Sequence, residues 1–227
     1  MSLSLRLEKI ASLVPTGTRV CDIGTDHGYL AIELIRSGKA KSVIAADINK
    51  KPLLNAKKNI EASGIKPIEI RLCDGFAGIE SQEFDTAVIA GMGGEVISGI
   101  IERGKSKTLG KTLILQPTTS PEFLRKFLNS EGYEIITEIP VLDNGKLYSV
   151  MQVCFIGKTE PIEEFLFFVG KVTPHTEEGA LYIKKQQNRC FKCMNALENN
   201  PQKYNEFEYY KKLYSAITDY LEVFTEK

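Results

Sequence analysis

Apolar residues in the first two thirds of the chain gather in short β-branched runs, separated by segments of helical spacing. The runs fall at residues 19–23, 42–47, 68–72, 86–90 and 112–115. Val43-Ile44-Ala45-Ala46, Ala87-Val88-Ile89-Ala90 and Leu113-Ile114-Leu115 are apolar without interruption, the pattern of strands covered on both faces of a parallel sheet. Helical spacing occupies residues 29–37, 51–62 and 95–101, and returns at 123–129 after Ser120-Pro121-Glu122, where Pro suits a first helical turn. Such alternation predicts a doubly wound α/β sheet.

The alternation then breaks. Residues 134–141 and 147–155 are both strand-like and are joined by Asp143-Asn144-Gly145-Lys146. Asn-Gly tolerates the positive φ that both central positions of a tight hairpin turn require, so the sheet is expected to finish in an antiparallel hairpin. Beyond it the composition changes: sixteen of the eighteen glycines lie at or before Gly157, and six of the nine tyrosines follow it. Gly157-Lys158-Thr159-Glu160-Pro161 marks the expected boundary between domains at 1–157 and 158–227. The second domain is expected to be all helical. Ile183, Cys190, Met194 and Leu197 form one apolar stripe, and Phe207, Tyr210, Leu213, Tyr214, Ile217, Tyr220, Leu221 and Phe224 form another. Asn199-Asn200-Pro201 parts them, which predicts an antiparallel helical hairpin.

Charge changes the picture by its balance: 29 Lys+Arg face 29 Asp+Glu. A polyanionic partner would have to be held by a local basic patch. Arg103, Lys105, Lys107 and Lys111 surround the loop before the fifth strand. Lys184, Lys185, Arg189 and Lys192 share one arc of the first C-terminal helix, opposite its apolar stripe. The first nine residues carry charges where a secretion signal needs an apolar run, and stretches such as 165–169 are too short to span a bilayer. With five unpatterned cysteines, a cytoplasmic protein with reduced thiols and no membrane association is expected. Cys190 and Cys193 form a single pair at helical spacing, better suited to packing than to zinc, and no metal is expected.

Candidate chemistry gathers where the strands end. The first run leads into Asp22-Ile23-Gly24-Thr25-Asp26-His27-Gly28-Tyr29-Leu30. Its G-x-x-x-G spacing lacks the middle glycine of the dinucleotide fingerprint, which disfavours a nicotinamide oxidoreductase. Asp47, with Ile48 beside it, ends the second strand, where a carboxylate can accept both hydroxyls of a ribose. Asp74 and Gly75 follow the third, where a carboxylate can accept an adenine amino hydrogen. Gly91-Met92-Gly93-Gly94 follows the fourth and leaves room for two ligands to meet. Each motif alone reads equally well as a cap or a turn. All four lie on the edge where open α/β sheets bind ligands.

Leu5-Arg6-Leu7-Glu8-Lys9-Ile10-Ala11, the loop at 22–30, Ala90-Gly91-Met92-Gly93-Gly94 and Leu115-Gln116-Pro117 together resemble the bacterial TrmK family. The resemblance covers the whole chain, although the C-terminal region matches only in helical character. It implies a class I (Rossmann-like) methyltransferase sheet, a C-terminal coiled-coil-like helical domain, S-adenosylmethionine (SAM) as cofactor and N1 of adenosine 22 in tRNA as target. SAM contacts are then expected at Asp22, Gly24, Gly28, Asp47, Ile48, Asp74, Gly75, Gly91, Met92 and Gly93. Adenine N1 already carries a free lone pair, so the enzyme's task is to align it and to stabilise the charge that develops on the base. Asp26, in a loop expected to be buried, is the candidate for that task, with His27 assisting. Arg6, Tyr29, Arg103, Lys105, Lys185, Arg189 and Lys192 are the candidate RNA contacts. Two other classes stay open: a SAM-dependent enzyme acting on a small molecule, and a non-catalytic RNA-binding protein.

Overall fold

The computed structural model describes residues 3–225; the outermost residues of the two expected domains, 1–2 and 226–227, lie outside the described residues. After a first helix, α1 (Leu5–Leu13), strands and helices alternate as the apolar runs predict: β1 (Thr18–Ile23), α2 (Tyr29–Arg36), β2 (Ala40–Asp47), α3 (Lys50–Ser63), β3 (Ile68–Leu72), β4 (Thr86–Gly93), α4 (Gly94–Arg103), the single turn α5 (Lys105–Thr108), β5 (Thr112–Thr119) and α6 (Pro121–Ser130). The hairpin β6 (Tyr133–Asp143) and β7 (Lys146–Phe155) follows, turning on Asn144 and Gly145 at φ 49° and 72°.

The seven strands form one sheet in the order β3-β2-β1-β4-β5-β7-β6. The first five are parallel, and β7 runs antiparallel between β5 and β6. This is the class I methyltransferase sheet. Its period-two pleat sorts the core into two layers. Ala87, Ile89, Leu113 and Leu115 face Ile97, Ile101 and Leu124 from α4 and α6. Val88 and Ile114, one residue out of step, face Ile10, Leu34 and Ala56 from α1, α2 and α3. β4 and β5 both outrun their apolar runs, reaching Gly93 and Thr119. The added residues are Met92 between two glycines on β4, and Gln116, Pro117 and two threonines on β5, which carry no continuous apolar signal.

The region after Gly157 is helical: α7 (Glu164–Val169), α8 (Glu177–Leu197) and α9 (Tyr204–Thr225). Gln187 meets Thr218 and Phe191 meets Tyr214, the falling register of an antiparallel pair. Ile183, Cys190, Leu213 and Ile217 are buried in the seam.

The basic arc of α8 is exposed, but two of its four cations are also tied to neighbouring segments. Tyr182 and Gln186, which lie between that arc and the apolar stripe, are buried, because α8 also packs against β6 and β7. Lys185 Nζ donates to the Leu147 carbonyl at 2.9 Å, and Arg189 donates to Glu122 at 2.7 Å. At the centre of this contact Arg125 and Glu138 form an ion pair with side chains 2% and 0% exposed. The Arg125 guanidinium also donates to the carbonyls of Phe167 and Phe168 and to the Tyr182 hydroxyl, while Glu138 accepts from the Lys171 N–H. Gly170, at φ 70°, passes so close that a Cβ there would stand 2.0 Å from Glu138 Oε2.

Removing one partner of such a pair strands a buried charge. Arg125→Met is expected to cost about 3–5 kcal/mol in urea denaturation, with Arg125→Met/Glu138→Met recovering much of the loss because no charge is left unpaired. A loss under 1 kcal/mol would show that the clamp is dispensable.

Candidate active site

A cleft of about 550 Å³ opens at the C-terminal ends of β1, β2, β3 and β4, where β1 lies between β2 and β4 and the strand order turns back. Its floor is the turn from β1 into α2. Gly24 and Thr25 N–H groups both donate to the Ala46 carbonyl, at 2.9 and 3.0 Å, tying that turn to β2. Gly24, Asp26 and Gly28 all take positive φ, at 79°, 50° and 71°. The two glycines serve different ends. A Cβ on Gly24 would stand 2.2 Å from the Met92 methyl, inside the cleft, whereas one on Gly28 would crowd Ile60 and Ala56 of α3 at 3.2–3.3 Å. Gly28 is therefore a helix-packing residue and does not line the cleft.

The same holds for Gly93. A Cβ there would meet Thr119 Oγ1 at 3.0 Å, and Gly93 serves as the N-cap of α4 outside the cleft lining. The other expected cofactor residues converge as the sequence suggested: Asp22, Gly24, Asp47 and Ile48 on one side, Asp74, Gly75, Gly91 and Met92 on the other. Asp26, His27 and Tyr29 stand at the cleft as well. The Asp26 loop is not buried, however. Its side chain is 65% exposed, with the carboxylate 3.6 Å from His27 Nε2. The His27 ring stacks on Tyr29 at 5.4 Å.

Of the expected RNA contacts, Arg6 and Arg103 line the cleft. Arg103 donates to Asp74 at 3.2 Å, so the Asp74 carboxylate already has a cationic neighbour. Lys105 lies elsewhere, paired with Glu131 at 2.7 Å and set over the Phe155 ring. Lys185 and Arg189 are exposed on α8, each with one donor engaged in docking that helix. Lys192 is exposed on α8, away from the cleft lining. Sequence reasoning missed Thr25 and Gln116. Thr25 Oγ1 donates to Asp22 at 2.7 Å, and a hydroxyl three residues after an acid at a strand end was the available signal.

Asp22 sets the electrostatics. Burial pushes its carboxyl up to about 6, and the Asp47 charge adds to the rise while the Thr25 hydrogen bond opposes it. A buried carboxylate beside a second one favours a cation placed between them. Asp47 Oδ1 accepts from the Asn49 N–H at 2.8 Å, which leaves its other oxygen for a ligand hydroxyl. The cleft thus offers a cation site at Asp22, a hydroxyl acceptor at Asp47 and exposed backbone at Gly24, bordered by the Met92 methyl. These donors and acceptors fit a nucleoside carrying an aminoacyl cation. Among the described residues no cluster of His, Cys, Asp and Glu is arranged to hold a metal ion, and no helix is long and apolar enough to cross a membrane.

The raised Asp22 group makes stability fall as pH rises, since the folded chain holds a proton between its ordinary value of 3.8 and about 6 that the unfolded chain has lost. Asp22→Asn is expected to match the parent near pH 4 and to exceed it by about 2–3 kcal/mol above pH 6. Urea denaturation of both proteins from pH 4 to 8 checks this. A stability difference that does not change with pH would remove Asp22 as its source.

Comparison with known proteins agrees with this geometry. A methyltransferase-domain family model matches residues 3–151. The tRNA (adenine(22)-N(1))-methyltransferase of Bacillus subtilis is 40% identical over 153 residues, which are 66% of this chain and 64% of that protein; the match thus spans somewhat less than two thirds of the relative. The solved structure of B. subtilis TrmK, an M1A22 tRNA methyltransferase, is 31% identical and superposes with a TM-score of 0.78 over 99% of this chain and 98% of its own. A putative tRNA (m1A22) methyltransferase of Streptococcus pneumoniae, solved with S-adenosyl-L-methionine, is 32% identical with a TM-score of 0.81, over 97% of this chain and all of its own. With a superposition that spans both the sheet and the helical region, the chain belongs to the TrmK family of methyltransferases.

Proposed function

We propose that this protein transfers a methyl group from SAM to N1 of the adenosine at position 22 of tRNA. The observation that carries the reading is the buried Asp22 carboxylate facing Asp47 at the floor of a glycine-lined cleft, with the exposed Asp26 carboxylate at its mouth. Relatives described as acting on this nucleoside, one of them solved with SAM, support it. The substrate assigns the protein to the cytoplasm.

SAM, when bound, supplies an electrophilic methyl group on a sulfonium centre. Asp22 would hold the ammonium of its aminoacyl tail, Asp47 its ribose hydroxyls, and Asp74 with the Gly75 backbone its adenine edge. The target base enters past Asp26 and His27. Asp26 would accept hydrogen bonds from the N6 amino group, fixing the ring so that N1 points inward. Its negative charge also stabilises the positive charge that spreads over the base as N1 gains the methyl. In the free protein that carboxylate is solvated; RNA laid across the mouth displaces water and strengthens the interaction. Tyr29, stacked on His27, offers a ring face beside the entering base. We assign the chemistry to residues 1–157, and to the helical region the exposed cations Lys184 and Lys192, which have no partner among the described residues.

Incubation of the protein with SAM and unmodified tRNA, followed by mass mapping of nucleosides, tests the reading. One 1-methyladenosine at position 22 is expected, and a protein that binds SAM yet leaves tRNA unmethylated would overturn the substrate. Asp47→Ala is expected to weaken SAM binding by about 1.5–3 kcal/mol in calorimetry, since it loses charge-assisted hydrogen bonds. Asp26→Asn is expected to bind SAM almost as the parent does while turnover falls by about 10²-fold; turnover within a few-fold of the parent would leave Asp26 a structural residue.

A further inference from the structure

Where β4 and β5 run out beyond the cleft floor, their pairing is interrupted. Ala90 is level with Gln116 and Met92 with Pro117, so Gly91 is an extra residue on β4. Pro117 has no N–H to give the ladder, and Gly91, at φ 78°, lies in the cleft wall. An extra residue of this kind is left without a ladder partner. Gln116 supplies the missing acceptor. Its side chain is fully buried, Oε1 accepts from the Gly91 N–H at 3.1 Å, and Nε2 donates to the Pro117 carbonyl at 2.7 Å.

The same oxygen accepts from Arg6 Nη1 at 2.5 Å. Arg6 reaches in from α1, lies 5.7 Å over the Tyr148 ring and 3.8 Å from Asp143, and forms part of the cleft wall. On the other side of the turn, the Met92 methyl fills the space beside Gly24. One amide oxygen therefore joins α1, the β4 turn and, through Met92, the loop after β1.

We propose that Gln116 is a positioning residue for methyl transfer: its amide oxygen locks the Arg6 guanidinium and the Gly91-Met92 turn into one geometry, so that the two walls between which methyl donor and base must meet are set together. The proposal rests on the reading of this cleft as the SAM and adenine site. Gln116 itself touches neither ligand. It acts through Arg6 and Gly91, and its effect falls on alignment, where a displacement of about 1 Å can cost 10²-fold in rate.

Three variants test it. Gln116→Met keeps the length and removes the shared acceptor; Gln116→Glu keeps the acceptor; Arg6→Met removes one of the two groups held. Gln116→Met is expected to lower kcat for tRNA methylation by about 10–100-fold and to weaken SAM binding several-fold. Gln116→Glu should recover part of both, since it keeps the acceptor for Arg6 and Gly91 but sets a second oxygen against the Pro117 carbonyl. Adding Arg6→Met to Gln116→Met should cost much less than Arg6→Met costs alone, because the two act as a unit. A lower melting temperature with unchanged kcat per folded molecule, or strictly additive losses, would overturn the proposal. Should Gln116→Met not fold, Arg6→Met against Arg6→Lys carries the test: Lys keeps a donor for Oε1 and must recover kcat, and equal losses would overturn it. Failure of the unaltered protein to methylate tRNA would sink the substrate reading before any variant is made. The pattern of SAM affinities across the variants decides the role of Gln116 independently.

Discussion

A parallel sheet whose strand order turns back at one place must leave a crevice there. Chain leaving β1 passes to the face covered by α2, and chain leaving β4 passes to the opposite face with α4. Nothing in the backbone ladder can fill the gap between two neighbours that diverge. The rest of the site is a consequence of that constraint. Asp22, one residue before the end of β1, is buried at the bottom of the gap, and Gly24 and Gly91 form its two lips. Both glycines take positive φ, and both spare the gap a side chain. The polar groups that look into it are not free to choose partners from the sheet, which is why Asp22 turns to Thr25, Asp47 to Asn49 and Gly91 to Gln116.

Charge then separates what can enter the crevice from what must stay outside. Asp22, Asp26, Asp47 and Asp74 line it, against Arg6 and Arg103, so a chain with no net charge holds a locally acidic cleft. A sulfonium or ammonium group is drawn in, while a phosphodiester backbone is kept at the rim. On the proposed reading, target recognition has to bring in an uncharged base and leave its phosphates behind. Arg103 is the one cleft cation paired with a cleft carboxylate, Asp74, across an exposed contact of 3.2 Å. Such a pair is weakly held and gives little resistance to a nucleoside that offers Asp74 a hydrogen bond instead.

The legible part of this fold was the part governed by local periodicity. Short β-branched runs, three of them apolar without interruption, located the five parallel strands, and Asn144-Gly145 located the hairpin, because each depends on residues adjacent in sequence. The four loops of the site were legible for the same reason, since each begins where an apolar run ends. The purpose of a given glycine was not. Gly24 and Gly28 read alike in sequence, yet one borders the cleft and the other packs α2 on α3, since the neighbour that forbids a side chain is Met92 in one case and Ile60 in the other. Gln116 and Arg125 were illegible in a deeper sense. Each is an ordinary polar residue until a distant segment supplies its partners, from Arg6 110 positions away and from Tyr182 57 positions away. The basic arc of α8 was legible only in part, for the converse reason: helical spacing told that its cations share an exposed face, not that two of them would be tied to Leu147 and Glu122.

That buried contact has a consequence for how the helical region serves the site. Were α8 and α9 joined to the sheet only through residues 156–163, their orientation would wander, and a cation on α8 would add affinity for RNA without adding register. Arg125 removes that freedom. Its guanidinium engages Glu138 from β6, two carbonyls at the end of α7 and a hydroxyl from α8, and Arg189 and Lys185 add further ties along the same helix. A planar group with donors in fixed directions can satisfy that set in only one arrangement of the segments. The distance from the exposed face of α8 to the mouth of the cleft is then a constant of the fold. An enzyme that must choose one adenosine among many in a folded RNA needs such a constant, because contacts to phosphate carry no sequence and select only by where they hold the molecule.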